Sequence, residues 1–244
     1  MSTASWRQRI RRTFILVTFL LFPLILNFFS PYIIIDGASQ GVINGSFVTF
    51  VSLFVSSLFI GRLWCAWACP AAGLQEACFA INDRPARGGR LNWIKWGIWI
   101  PWVGLIVAMA VAAGGYRTIN VLHLMDTTAP GEQVFRYVIY YTVVGVVFVL
   151  SLASGRRAFC HYGCWMAPFM ILGRKLRNAL KWPALRLVSD AAKCTRCGKC
   201  TKACPMSLDV TGMVRQGAME NSECILCASC VDGCPKAAIR YTFS

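Results

Sequence analysis

The chain has 244 residues, of which 57% are hydrophobic and only 14% charged, with a formal net charge of +15. That charged fraction is well below the roughly 25% usual for soluble domains, and a chain of this length cannot bury so much apolar surface in a soluble core. The positive charge gathers at the ends of apolar stretches rather than on one face of a soluble domain, which excludes nucleic acid as a partner.

The apolar residues fall in four blocks, 14–35, 42–60, 93–113 and 137–153. Each is close to the ~20 residues that cross a ~30 Å hydrocarbon layer as a helix. Only Lys95 lies inside a block, near its end, where a long cationic side chain can snorkel. The first block follows a basic tail with Arg7, Arg9, Arg11 and Arg12, but no small-residue cleavage pattern ends it. It reads as an uncleaved anchor rather than a removed signal peptide. Pro23 and Pro31 are expected to kink it or end it early.

Cations alternate along the connections. The tail is basic and the loop 36–41 carries none; Arg62, Arg84, Arg87 and Arg90 follow the second block. The loop 114–136 has only Arg117 and Arg136, and Arg156, Arg157, Arg174, Lys175, Arg177 and Lys181 follow the fourth block. This pattern predicts a multi-pass protein of the cytoplasmic (inner) membrane with four spanning helices and both termini in the cytoplasm. Residues 1–185 form the membrane domain in this reading and 186–244 a separate C-terminal domain. Residues 166–182 alternate apolar and basic positions, as in an amphipathic helix lying on anionic lipid.

A sequence repeat marks the cytoplasmic ends of spans two and four. Gly61-Arg62-Leu63-Trp64-Cys65-Ala66-Trp67-Ala68-Cys69-Pro70 is echoed 95 residues on, from Cys65 to Cys160, by Gly155-Arg156-Arg157-Ala158-Phe159-Cys160-His161-Tyr162-Gly163-Cys164. Two spans followed by such a motif, twice over, predict a two-fold pseudo-repeat with both motifs at one depth. Cysteines four apart share a helix face, so the two pairs can bring Cys65, Cys69, Cys160 and Cys164 together. Such a group can ligate an additional iron–sulfur or other metal centre, act as redox dithiols, or be plain buried cysteines. Cys69 precedes Pro70, which can open a helix, and a thiol at a helix N-terminus is expected to have a lowered pKa. Cys78 stands apart and reads as structural.

Eight of the 13 cysteines lie in two further runs. Lys193-Cys194-Thr195-Arg196-Cys197-Gly198-Lys199-Cys200-Thr201-Lys202-Ala203-Cys204-Pro205 is repeated in form by Glu223-Cys224-Ile225-Leu226-Cys227-Ala228-Ser229-Cys230-Val231-Asp232-Gly233-Cys234-Pro235. Three thiolates on a tight loop can wrap three irons of a cubane, and the fourth iron needs a ligand from elsewhere. Zinc ribbons lack the third cysteine and the C-P ending. Disulfides are disfavoured in a reducing cytosol. The repeat resembles the bacterial two-cluster ferredoxins, small pseudo-symmetric α+β domains in which the fourth cysteine of each run serves the other cluster. That resemblance implies two [4Fe–4S] clusters, one on Cys194, Cys197, Cys200 and Cys234, the other on Cys224, Cys227, Cys230 and Cys204. The polar linker 206–223 holds no catalytic histidine or carboxylate pair and is expected to leave little room for a substrate pocket.

Four spans, two C-x3-C motifs at cytoplasmic span ends and two ferredoxin runs together resemble the NapH-type membrane ferredoxins. This group includes the quinol-dehydrogenase component of periplasmic nitrate reductase systems. Related modules occur in the nitrous oxide reductase regulator and in cytochrome oxidase maturation. Members usually show C-x3-C-P twice; here the second motif has its proline displaced by three, at Pro168. The resemblance implies electron transfer between the quinone pool and the clusters, as an electron-transfer subunit serving a partner oxidoreductase or soluble carrier. The alternative it leaves open is a redox-sensing or metalloenzyme-maturation factor whose membrane cysteines handle a metal. No catalytic residue is assigned. A quinol also sheds protons, for which Tyr116, His123, Asp126 and His161 are the candidate groups.

Overall fold

The computed structural model describes residues 5–123 and 130–244, with backbone alone for 130–136. Helix α1, Trp6–Leu20, is capped by Ser5, whose hydroxyl accepts the Gln8 N–H at 3.4 Å. Helix α2, Phe22–Ile25, carries Pro23 in its first turn and continues as a 3-10 turn, Leu26–Phe29, at 62° to α1. The first apolar block is therefore broken where Pro23 removes an N–H and crowds the preceding turn. Pro31 opens a separate helix α3, Pro31–Gln40, rather than merely ending the first.

After a two-residue strand β1, Val42–Ile43, helix α4 runs Gly45–Ile60 from an Asn44 cap. At 16 residues it rises about 24 Å, short of the ~30 Å core. Helices α5, Leu63–Trp67, and α6, Pro70–Ala77, follow. A 3-10 turn then leads into α7, Ile94–Ala112, making one apolar helix of 24 residues, Gly89–Ala112. Strand β2, Thr118–Ile119, pairs in parallel with β1, joining two loops. Helix α8, Pro130–Ser154, contains the apolar stretch Tyr137–Ser154. Among the described residues two helices are long and apolar enough to cross a membrane, or three if the bent α1–α2 pair is one span.

Helices α9, Ala158–Tyr162, and α10, Ala167–Ala179, bring the chain to a C-terminal unit. There β3, Leu185–Ser189, pairs antiparallel with β4, Ile239–Phe243, in the register Leu187↔Tyr241. Between them lie three short helices, α11, Lys199–Lys202, α12, Val210–Arg215, and α13, Ser229–Asp232. Helix α10 packs along α4, and α6 along α1. Two of the four cations of α10 and its flank face the C-terminal unit rather than lipid. Arg174 binds Glu220 at 2.5 Å and the Cys224 carbonyl at 2.6 Å, and Arg177 reaches the Leu185 carbonyl at 3.3 Å. An amphipathic pattern identifies a charged face without saying what meets it.

Candidate functional site

The two C-x3-C segments fold alike. Each follows a helix that stops at a glycine in the left-handed region, Gly61 (φ 59) after α4 and Gly155 (φ 90) after α8. A Cβ on Gly155 would lie 2.2 Å from the Arg84 carbonyl oxygen, so only glycine fits that turn. Each then forms a five-residue helix holding the first cysteine, α5 or α9, and a turn in which the second cysteine's N–H bonds back to the aromatic five residues earlier. These bonds are Cys69 to Trp64 at 3.1 Å and Cys164 to Phe159 at 3.0 Å. A proline-led helix follows in both cases. Pro168, displaced in sequence, still falls in the first turn of α10, as Pro70 does in α6.

Contacts between the two halves are reciprocal. Gln75, six residues after Cys69, donates its Nε2 to the Cys160 sulfur at 3.2 Å. Met170, six residues after Cys164, places its sulfur 3.8 Å from that of Cys65. All four thiols are buried in one apolar cluster. Burial pushes the Cys69 thiol well above its usual range, and Cys65, Cys160 and Cys164 add to the effect. Burial likewise raises Cys65, with Arg62 opposing, and lifts Cys164 to about 12. The expected lowering at Cys69 by the start of α6 is thus overruled by desolvation. Among the described residues no three Cys, His, Asp or Glu side chains converge on a single ion. Cys78 is buried at the C-terminal end of α6, outside the cluster that holds the four.

Cations surround these thiols. Arg62 and Arg157, each three residues before the first cysteine of its motif, are both fully buried. Arg157 pairs with Glu76 and donates to the Cys65 carbonyl at 2.7 Å. Arg11 chelates the same Glu76 with two bonds of 2.8 Å. Burial would raise the Glu76 carboxyl, but Arg157 and Arg11 outweigh it and hold it at about 2. Arg62 instead pairs with Glu223 of the C-terminal unit at 2.9 Å, and Lys95 reaches that carboxylate at 2.5 Å. Among the described residues the Nε and Nη2 donors of Arg62 make no hydrogen bond of good geometry, and Arg62 lies close enough to the Cys65 sulfur to favour its thiolate.

In the C-terminal unit the two cysteine runs share one backbone course. The residues two, four and thirteen positions after the first cysteine are left-handed in both: Arg196, Gly198 and Ser207 in one, Leu226, Ala228 and Ala237 in the other. Successive turns of this kind aim N–H groups inward, a concavity suited to iron–sulfur sites. Cys204 lines one small cavity with Cys224, Cys227 and Cys230, although it belongs to the first run. Burial raises Cys204 to about 12, with Cys227 and Cys224 contributing. The second run lies against the membrane-side unit. Gln8 donates to the Cys227 carbonyl at 2.9 Å, and a Cβ on Gly61 would lie 3.2 Å from Leu226. Cys197 of the first run is exposed.

A family described as "4Fe-4S dicluster domain" matches residues 186–236, and one described as "4Fe-4S binding domain" matches twice, at 45–85 and 137–183. The putative electron transport protein YccM of Escherichia coli is 25% identical over 232 residues, covering 87% of this chain and 59% of that protein. The nitrogen fixation protein FixG of Rhizobium meliloti is 26% identical over 211 residues, covering 75% and 38%. This chain belongs with the membrane-type 4Fe-4S ferredoxin proteins. Another relative, the methylamine utilization ferredoxin-type protein MauN of Paracoccus denitrificans, is 23% identical over 191 residues, covering 74% and 62%. The chain therefore spans less than two thirds of the length of these three. No solved structure matches. The chain shares 4Fe-4S binding domains with these relatives and carries apolar helices long enough to cross a membrane.

The other predicted groups have ordinary partners. His123 binds Asp36 at 2.9 Å; Asp126 lies outside the described residues. Tyr116 stacks near Phe47. His161 is buried between Asn92 at 2.9 Å and the Met206 carbonyl at 3.2 Å. Burial, with Lys95 and Arg62 adding to it and Glu223 opposing, lowers its pKa to about 4, so it is neutral at pH 7. The linker does form a pocket, contrary to expectation. A cavity of about 520 Å³ lies at the seam, lined by Met206, Asn221 and Glu223 with Asn92, His161 and Lys175. An apolar groove of about 740 Å³ lies between α4, α7 and α10, lined by Phe50, Trp99, Val103, Tyr116 and Phe169. Sequence reasoning missed Gln75 and Met170, although their shared distance from the second cysteine of each motif was available as a signal.

Proposed function

We propose that this protein carries electrons between the quinone pool and a partner oxidoreductase or soluble carrier. Cys194, Cys197, Cys200 and Cys234 would hold one [4Fe–4S] cluster and Cys224, Cys227, Cys230 and Cys204 the other, supplying one-electron chemistry. The observation that carries the reading is the reciprocal seating of four buried thiols beside Arg62 and Arg157, directly behind the second ferredoxin run. Orphaned donors on a buried arginine fit an anionic group, and a cluster bound by four thiolates is one. Cys65, Cys69, Cys160 and Cys164 are accordingly assigned an additional iron–sulfur centre.

The chain crosses the inner membrane four times in this reading, with α1–α2 as a bent span and α4 as a short one, and both termini cytoplasmic. Residues 1–185 are the membrane domain and 186–244 the ferredoxin domain. The double match of one family at 45–85 and 137–183 and the matched turns support the two-fold repeat. The apolar groove is within the size range of small-molecule sites and is assigned to quinone. Anaerobic EPR of the purified protein tests the reading. Addition of a potential-matched quinol should generate reduced-cluster signals, and none at any potential would refute quinone coupling.

One observation favours a second reading, a maturation or redox-sensing factor that handles a metal. The Cys65–Met170 contact brings together two soft sulfur ligands. Stoichiometric metal uptake that Met170→Leu weakens, with no quinol reduction, would favour it.

A further inference from the structure

The two ferredoxin runs are superimposable in sequence position, and their outward-facing residues differ systematically. In the second run four such positions make the contact with the membrane-side unit. Glu223 is buried against Arg62 and Lys95. Leu226 packs at Gly61, and Ser229 bonds Gln8 at 3.1 Å. Asp232 binds Arg7 at 2.5 Å and Gln8 at 2.7 Å. The matching positions of the first run are Lys193, Arg196, Lys199 and Lys202, all exposed. A fifth pair follows the C-P step: Met206 is buried after Cys204, whereas Lys236 is exposed after Cys234. The central cysteine shows the same contrast, with Cys227 buried and Cys197 exposed.

One face of the pseudo-symmetric domain thus docks on a basic surface through acidic and neutral side chains. Its symmetry mate has the opposite charge and exposed side chains, and meets the membrane-side unit at the Lys202 carbonyl, which accepts from Arg156 at 2.6 Å. The acidic groups recorded along this segment are Asp190, in an exposed pair with Lys193 at 3.2 Å, and Asp209, which caps α12. With Lys236, five cations against these two acids leave the face positive. We propose that the face formed by Lys193, Arg196, Lys199, Lys202 and Lys236 docks an acidic soluble protein with a one-electron redox centre. The proposal rests on the electron-transport reading given above. On docking, one centre loses one electron and the other gains it; no bond forms or breaks and no proton moves. Complementary charge would steer encounter towards the side where Cys197 brings the thiolate set to the surface.

The test uses the full-length protein in neutral detergent and an acidic plant-type [2Fe–2S] ferredoxin as probe, with the association rate constant measured against ionic strength. The triple variant Arg196→Gln, Lys199→Gln, Lys202→Gln is compared with a control of equal net charge, Arg9→Gln, Arg90→Gln, Arg215→Gln, all exposed cations elsewhere. At low salt the first triple should slow association by about tenfold or more and flatten the salt dependence, while the control stays within about twofold. Equal slowing by both triples, no slowing by the first, or a wild-type rate independent of salt would each overturn the proposal. So would a first triple that loses binding to phosphatidylglycerol vesicles while keeping the ferredoxin rate, since the face would then belong to lipid. Iron content and cluster EPR of every variant separate the two levels. Intact clusters with equal rates remove only the docking face, whereas a wild-type chain without clusters removes the electron-transport reading with it.

Discussion

Two parts of this molecule gather four cysteines from two copies of a motif, and they do so by different physics. In the ferredoxin unit the first three thiols of each run are presented by a short loop whose left-handed residues recur at matched positions, so their arrangement is local, and only the fourth comes from the other run, as Cys204 does beside Cys224, Cys227 and Cys230. At the membrane-side unit each pair sits at a helix end, and Gln75 and Met170 each cross to a cysteine of the opposite half. The first design stores its specificity in backbone conformation. The second depends on tertiary packing and on buried charge, with Glu76 binding Arg11 and Arg157, and Glu223 binding Arg62 and Lys95.

The contrast can be broken first at the buried carboxylate. Glu76→Ala leaves two buried guanidinium groups uncompensated and should destabilise the membrane-side unit by about 3–5 kcal/mol, read as lost thermal stability in detergent with ferredoxin-unit EPR retained on mild heating. A smaller effect comes from pH. Glu76 is held at about 2, below its ordinary 4.5, so its contribution is complete above the unfolded pKa and is lost as pH falls through the folded one. Wild type should therefore lose stability relative to Glu76→Gln between about pH 4.5 and 2; parallel melting curves for the two proteins over that window would contradict the ion-pair assignment.

Next come the crossing side chains. Gln75→Leu strands the Phe159 N–H, which Gln75 accepts at 3.1 Å, as well as losing the Cys160 contact. It should cost about 1–3 kcal/mol, against under about 1.5 kcal/mol for the near-isosteric Met170→Leu, by denaturant melts. Smallest is the backbone comparison in the ferredoxin unit. Gly198 and Ala228 occupy one left-handed position in the two runs. Gly198→Ala should destabilise and Ala228→Gly relieve strain, each by about 1 kcal/mol, measured as the rate of cluster loss to a chelator.

Legibility in the sequence follows the same division. The ferredoxin domain was readable because its signature lies in cysteine spacing a few residues long, and two apolar blocks were readable because α7 and α8 are continuous helices. The first block was readable as apolar but not as a bent pair, since the position of Pro23 sets a break without setting its 62° angle. The charged face of α10 was visible, yet nothing local said that Arg174 would meet Glu220 rather than lipid. Gln75 and Met170 were hidden for a related reason: each is an ordinary helical residue until the other half of the repeat is placed against it. The charge reversal from Lys193 to Glu223 stood in the open and acquired meaning only when the side chains of one run were seen docked and those of the other exposed.

In the reading proposed above the membrane-side thiols Cys65, Cys69, Cys160 and Cys164 hold iron. Iron and acid-labile sulfide per chain, counted in protein purified without oxygen, test it most directly. Wild type should hold clearly more than the about eight irons of two cubanes, falling to about eight in the double variant Cys65→Ser, Cys164→Ser. About eight irons in both proteins would contradict it.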